Sequence, residues 1–250
     1  MAGQIKGLIK ENFGERYYGL YHDGYKLGYV IHKLTQNEDE IIQEFSLNMR
    51  FPSSDELVEE EGAEYSFSQI ISLAQFDKET GLLKQMTEGW GIKLYADYQS
   101  LLQGKYFKKE ISTRTARYKG DFSYEVRNSD NDENQYSLLK LPKLSLFDYF
   151  SEINFVHANP KVGSVRNIEV FDLDFETGLY SSLTLTLKEK IELDEETNGR
   201  INYVIKAELG DEVYTFQVDQ YGNLLEGELL GFDVILEPKL RALAFDMEKI

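Results

Sequence analysis

The chain of 250 residues has no cysteine, which excludes a disulfide scaffold, a thiolate zinc site and any cysteine nucleophile. Its three histidines, His22, His32 and His157, show no ligand-type spacing, so a metal centre would need long-range assembly. No stretch approaches the roughly 18 consecutive apolar residues of a membrane helix, and no signal-peptide core opens the chain. Positive charge is scarce: 27 Lys and Arg stand against 44 Asp and Glu, for a net charge of −17. That balance argues against phosphate-backbone binding and against docking on anionic membranes. The acids are spread along the chain, as a solvated surface requires; a cationic partner or a divalent ion is the other use for them. Several catalytic signatures are missing too. There is no Walker loop, no Gly-x-Gly-x-x-Gly and no Gly-x-Ser-x-Gly elbow, and Gly163-Ser164-Val165 lacks the strand-to-helix setting of one. Proline is also rare, at four residues, which leaves long stretches free to pair as strands.

What the chain does have is aromatics and alternation. Tyr (17) and Phe (15) dominate the aromatic set, and both favour strands. Two aromatic-rich patterns within Tyr17–Lys33 flank His22-Asp23-Gly24-Tyr25, an Asp-Gly hairpin turn. Further strands are predicted over Glu40–Phe51, Tyr65–Gln75, Leu183–Leu193, Ile201–Leu209 and Val213–Val218, the last three forming an antiparallel meander. Pro52–Gly62 reads as a polar loop or one exposed helical turn, and residues 4–13 as a short helix or lead-in. Gly89-Trp90-Gly91 reads as a small break, and Arg127–Gln135 as a loop tip. Asp77–Leu82 and Asp174–Leu179 match at five of six positions. An internal duplication (about 17–125 and 160–237) explains the match, and so does independent use of a favoured turn.

One segment departs from the strand pattern. Leu144–Val156 places Leu146, Phe147, Phe150 and Ile153 on one helical face, with Ser145 and Asp148 resembling a capping box and Asn159-Pro160 as a stop. One helix of about three turns among many strands implies a helix laid on a curved antiparallel sheet. No linker splits the chain, so residues 1–250 are read as a single mainly β domain.

Candidate binding residues come from two places. Trp90, Tyr95, Tyr98, Tyr106 and Phe107 cluster in sequence and would suit a sugar platform or an apolar groove, or else strand core. Leu146, Phe150 and Ile153 would line a groove between helix and sheet. Asp130–Asn134 offers oxygen ligands but lacks the EF-hand spacing and glycine. His22 and His32 fit exposed strand positions of the first hairpin. No catalytic set, metal site or cofactor is expected.

Three stretches together carry a family resemblance: Tyr18-Gly-Leu-Tyr-His-Asp-Gly-Tyr-Lys-Leu-Gly-Tyr29, Pro160-Lys-Val-Gly163, and Tyr214–Glu226 running on to Glu237 and Arg241-Ala-Leu-Ala244. In this order they resemble the β-rich region preceding the catalytic domain of bacterial exported transglutaminase-like proteins. That region is similar in turn to periplasmic half-barrels of the lipoprotein-carrier type. The resemblance implies a non-catalytic periplasmic or extracellular module with a strongly curved half-barrel sheet and a helix across its concave side. Such a module holds an apolar small molecule or docks a partner domain. Transglutaminase chemistry itself is not implied, because it needs a cysteine nucleophile. Two rivals remain: a carbohydrate-active hydrolase using a carboxylate pair, and a cell-surface assembly protein whose partner covers a sheet edge.

Overall fold

The computed structural model describes residues 10–53, 58–59, 61–121, 123–130, 133–140, 150–171, 180–193, 200–229 and 231–244. A 3-10 turn at Lys10–Asn12 leads into β1 (Gly14–His22), β2 (Tyr25–Gln36), β3 (Glu40–Pro52), β4 (Tyr65–Asp77) and β5 (Leu83–Tyr95). After α1 (Tyr98–Leu102) come β6 (Lys108–Gly120), β7 (Ser123–Asp130), β8 (Glu133–Lys140) and α2 (Ser151–His157). The chain continues through β9 (Val165–Phe171), β10 (Tyr180–Glu192), β11 (Ile201–Leu209), β12 (Glu212–Val218), β13 (Leu224–Leu229) and β14 (Phe232–Glu237), and ends in α3 (Lys239–Ala242).

All fourteen strands join one antiparallel sheet in the order β8-β7-β6-β5-β4-β3-β2-β1-β14-β13-β12-β11-β10-β9. Every strand neighbours the next in sequence, with one exception: β8 and β9 lie at the two free edges. In their place the first and last strands pair, with Tyr17 opposite Glu237 and Leu20 opposite Val234. The sheet is therefore a meander that is open between β8 and β9, and the segment crossing that opening carries α2.

Alternation explains the strands. In β11, Tyr203, Ile205 and Ala207 are buried while their neighbours are half-exposed, as expected of a sheet with one covered face. The β1–β2 turn is the type I′ hairpin that Asp-Gly predicts, with φ of 50° at Asp23 and 79° at Gly24. At Asp77–Leu82 the Asp77 carboxylate accepts hydrogen bonds from the amides of Glu79 and Thr80 and the Thr80 hydroxyl, and Gly81 takes a φ of 71°. Its sequence counterpart at Asp174–Leu179 lies outside the described residues.

Three sequence expectations change. Arg127–Gln135 is mostly strand: Arg127 pairs with Tyr136 and Asp130 with Glu133 in the β7–β8 hairpin, so ladder pairing overrides the low strand propensity of Asn and Asp. Gly89-Trp90-Gly91 is uninterrupted β5, paired with β4 and β6 on both sides. The described helix is Ser151–His157, with Phe150 at its N-cap and no side-chain cap. Residues 141–149, including Leu146 and the Ser145/Asp148 pair, lie outside the described residues. The helix ends as expected, at Asn159 with a φ of 49°.

The core has three parts. Leu34, Phe76, Met86 and Val126 form one cluster with Phe150 and Ile153. Leu185, Leu187, Ile205 and Val218 form a second with Phe155 and Val156. A third gathers Tyr18, Leu20, Val30, Leu47 and Val234 around the β1–β14 seam. Helix α2 thus touches the concave side of both arms of the sheet. Gly222, in the β12–β13 loop, lies against it so closely that a Cβ there would sit 2.6 Å from the Ile153 Cα.

The seam is fastened on its outer face. The Lys26 ammonium donates to Glu237 at 2.6 Å with both side chains buried, and Tyr21 donates to the same carboxylate at 2.6 Å. Arg241 reaches Glu237 at 2.9 Å, and Lys26 also caps the Arg241 carbonyl at the end of α3. Burial raises the Glu237 pKa, but the hydrogen bonds from Lys26 and Tyr21 and the charges of Lys26 and Arg241 outweigh it and hold the carboxyl below its usual value.

Two stability outcomes follow. Lys26→Met leaves Glu237 buried without its main counter-ion and lowers stability by about 3 kcal/mol in urea unfolding; the double variant Lys26→Met/Glu237→Gln recovers part of that loss. Gly222→Ala (φ 81°) meets both a left-handed backbone and α2 and loses about 2–4 kcal/mol, whereas Gly231→Ala (φ 78°), where the space is open, loses roughly 1 kcal/mol.

Candidate functional site

Period two places Arg16 and Tyr18 of β1, Val30 and His32 of β2, and Gln43 and Phe45 of β3 on the concave face. Arg16, His32 and Phe45 form one rung across the three strands. From the other arm, β10, β11 and β12 turn Leu183, Leu185, Ala207, Tyr214 and Phe216 toward them. Between the two arms, beneath Phe150, Glu152 and Ile153, lies a cavity of about 430 Å³, within the size range of small-molecule sites. Its wall is mostly aliphatic and aromatic, with a few polar groups.

Those polar groups are held in place. The Arg16 guanidinium donates to the carbonyls of Asn12 at 2.7 Å and Glu11 at 3.0 Å, so it fastens the 3-10 turn over the cavity. The Asn12 side-chain amide donates to the Tyr221 carbonyl at 3.1 Å and ties that turn to the β12–β13 loop. Asp219 shapes the loop by accepting from the amides of Tyr221 and Asn223, both at 2.9 Å. Burial, and then the Arg16 charge, push the His32 imidazole down to about 4. The Tyr18 phenol is pushed up to about 12, chiefly by burial. Glu152 keeps some accessible surface because it lines the cavity, yet protein atoms surround it, and burial drives its carboxyl above the usual range. At neutral pH the cavity wall therefore holds a neutral imidazole and a guanidinium, and burial makes the Glu152 carboxyl harder to ionise than an exposed one.

The sequence-predicted residues divide. Phe150 and Ile153 are 8% and 7% exposed and both line the cavity, with the Phe150 ring centroid 6.4 Å from those of His32 and Phe76. Trp90 and Tyr95 do not come together. Trp90 shares its face with Met86 and opposes Ile70, on the concave side, where it is 52% exposed. Tyr95, an odd number of residues on, faces outward and is 5% exposed, next to Tyr65, whose ring lies tilted against Tyr98 of α1 with centroids 5.9 Å apart. Strand alternation separates what sequence proximity groups. Tyr106 and Phe107 are exposed, with Lys93 over the Tyr106 ring. His22 and His32 do not approach each other across the hairpin: His22 pairs with Tyr25 at the turn, and His32 with Arg16 far along the ladder. His32 lies in the cavity wall and not at an exposed strand position.

Of the cavity residues Arg16, His32 and Glu152, Arg16 and Glu152 were not singled out by the sequence, and His32 was read there as an exposed strand position. A signal existed for two of the three. Arg16-x-Tyr18-x-Leu20 and Val30-x-His32-x-Leu34 each place a polar group in register with apolar ones on a single strand face. Among the described residues no group of three or more His, Asp or Glu side chains is arranged to hold a metal ion, and no helix is long and apolar enough to cross a membrane.

Fold and site together define an open, barrel-like β-sheet protein with a partly open cavity on its concave side. No family model matches the chain, and no curated protein matches it either. Among solved structures it is similar to the crystal structure of a beta-barrel-like protein of domain of unknown function DUF1849 from Brucella abortus. The two share 12% identity, and the likeness covers 89% of this chain and 94% of that one with a TM-score of 0.57. At that identity the likeness shows the fold alone. It agrees with the β-rich, barrel-like part of the family resemblance; neither the family models nor the curated proteins return a transglutaminase-like relative.

The cavity makes stability depend on acid. Unfolded chains protonate His32 near its ordinary value of 6.5 and the folded protein only near 4, so the unfolded state binds more protons between those values. Stability therefore falls as pH drops from about 6.5 to about 4, by up to about 3 kcal/mol from this residue. Glu152, with its raised folded value, acts in the opposite sense, losing stability as pH rises above its unfolded value. Comparing urea unfolding of the wild type with His32→Gln at several pH values isolates the histidine: the variant lacks the decline between pH 6.5 and 4.

Proposed function

We propose that this protein is a non-catalytic binding module, working in the periplasm or outside the cell, that holds an apolar small molecule in its central cavity. The carrying observation is the 430 Å³ space between α2 and both arms of the sheet, walled by Leu183, Leu185, Tyr214 and Phe216. A sheet arm that only packed its own core would close on α2 without leaving such a space, since interiors pack densely and large voids are few. The family resemblance supports the extracytoplasmic part of this reading and the apolar ligand. The predominance of apolar wall favours a hydrophobic guest over a sugar, which would ask for a denser set of hydrogen-bonding groups.

The neutral fluorophore N-phenyl-1-naphthylamine tests the reading. It brightens on binding to the wild type, and Ala207→Trp, which fills the cavity from β11, abolishes the signal while the far-ultraviolet circular dichroism is retained. Val213→Trp, on the exposed side of β12, leaves binding unchanged. A probe that fails to bind, or that binds the Ala207→Trp protein as well as the wild type, contradicts a ligand-holding cavity.

A further inference from the structure

Resting on the reading of the cavity as a ligand site, we infer that its guest is an amphiphile with a single acidic headgroup, a carboxylate or a phosphate. Its tail lies among Leu185, Tyr214 and Phe216, and its headgroup meets Arg16. The argument is one of charge and donors. Arg16 lies in the cavity wall on the same rung as His32 and Phe45. Of the five N–H donors on a guanidinium, it directs two to the backbone carbonyls of Asn12 and Glu11, which leaves three without a partner among the described residues. Its partners there are neutral carbonyls, and among the described residues no carboxylate lies within ion-pair distance of it.

Among the described residues, no other ionisable group around the cavity forms an ion pair with Arg16. His32, across the rung, is held in its neutral form, and burial raises the cost of ionising Glu152 on α2. Tyr18 is neutral. The Asp219 carboxylate is engaged by the amides of its own loop. Glu228 of β13 stands exposed to solvent at the rim. In a mostly apolar, partly open cavity a half-buried guanidinium favours an anion that supplies charge-assisted, often bidentate, hydrogen bonds. A purely hydrocarbon guest would leave the remaining donors facing apolar surface, an arrangement that is unfavourable.

The test is displacement of N-phenyl-1-naphthylamine by length-matched decanoate and decanol, with inorganic phosphate alone as a third competitor. On the wild type, decanoate should displace the probe at about tenfold lower concentration than decanol or less, the advantage of a charged hydrogen-bond pair. Arg16→Gln should remove that preference while decanol binding persists, and Arg16→Lys should keep most of it. The persisting decanol binding shows that the variant is folded with its cavity intact. Equal displacement by decanoate and decanol on the wild type, or an undiminished preference in Arg16→Gln, overturns the headgroup assignment and leaves the apolar-ligand reading standing. Displacement by inorganic phosphate as effective as by decanoate also overturns it, since it would show an anion site without a lipid tail. If the fluorophore itself does not bind the wild type, the cavity reading fails and this inference falls with it.

Discussion

A sheet that does not close on itself leaves a concave surface that must be covered, and here a short helix does the covering. Phe150 and Ile153 enter the cluster built on β2–β7, while Phe155 and Val156 enter the cluster built on β9–β12. Because the two arms meet at β1 and β14 and part between β8 and β9, α2 is the element that packs against both from within. Its distance from the floor of the sheet decides whether there is a cavity. Gly222 fixes that distance on one side, where the β12–β13 loop touches the helix backbone at Ile153. On the other, the 3-10 turn is drawn over the opening by Arg16 and Asn12. The cavity is thus a consequence of topology, framed by a helix that spans two arms without filling the space between them.

Charge is arranged in accordance with that plan. The acids outnumber the bases, for a net charge of −17, and partly exposed pairs such as Lys33–Glu44 and Lys84–Glu40 add little to stability. Two basic residues are placed differently. Lys26 is buried on the convex side with Glu237, where it fastens the seam between the first and last strands. Arg16 is on the concave side, bonded to backbone carbonyls and, among the described residues, to no carboxylate. The first arrangement is complete within the protein. The second has donors to spare, and that asymmetry gives the cavity a polar end.

Much of this architecture was legible in the residues. Ile201–Leu209 is strand over the predicted range, and Glu40–Phe51 and Tyr65–Gln75 extend by only one or two residues, because a sheet with one covered face writes its period into the sequence. The Asp23-Gly24 turn was equally plain. What alternation does not carry is which non-consecutive strands meet. The β1–β14 pairing joins residues more than two hundred positions apart, and no local pattern announces it. Alternation was also the neglected signal at the site. Trp90 and Tyr95 looked like one cluster, yet the odd number of positions between them puts them on opposite faces. His32 looked like an exposed strand residue, yet it keeps step with Val30 and Leu34. Asn and Asp in Arg127–Gln135 suggested a loop, since local propensity cannot see the ladder partners that make β7 and β8 strands.

Native mass spectrometry of the protein purified from its own host, followed by solvent extraction of what it carries, shows whether the covered concave face holds a guest. The account predicts a mass above that of the bare chain and an extracted molecule with a hydrocarbon tail. A protein that is empty under conditions that preserve non-covalent complexes, or that carries a polar molecule with no apolar part, would contradict it.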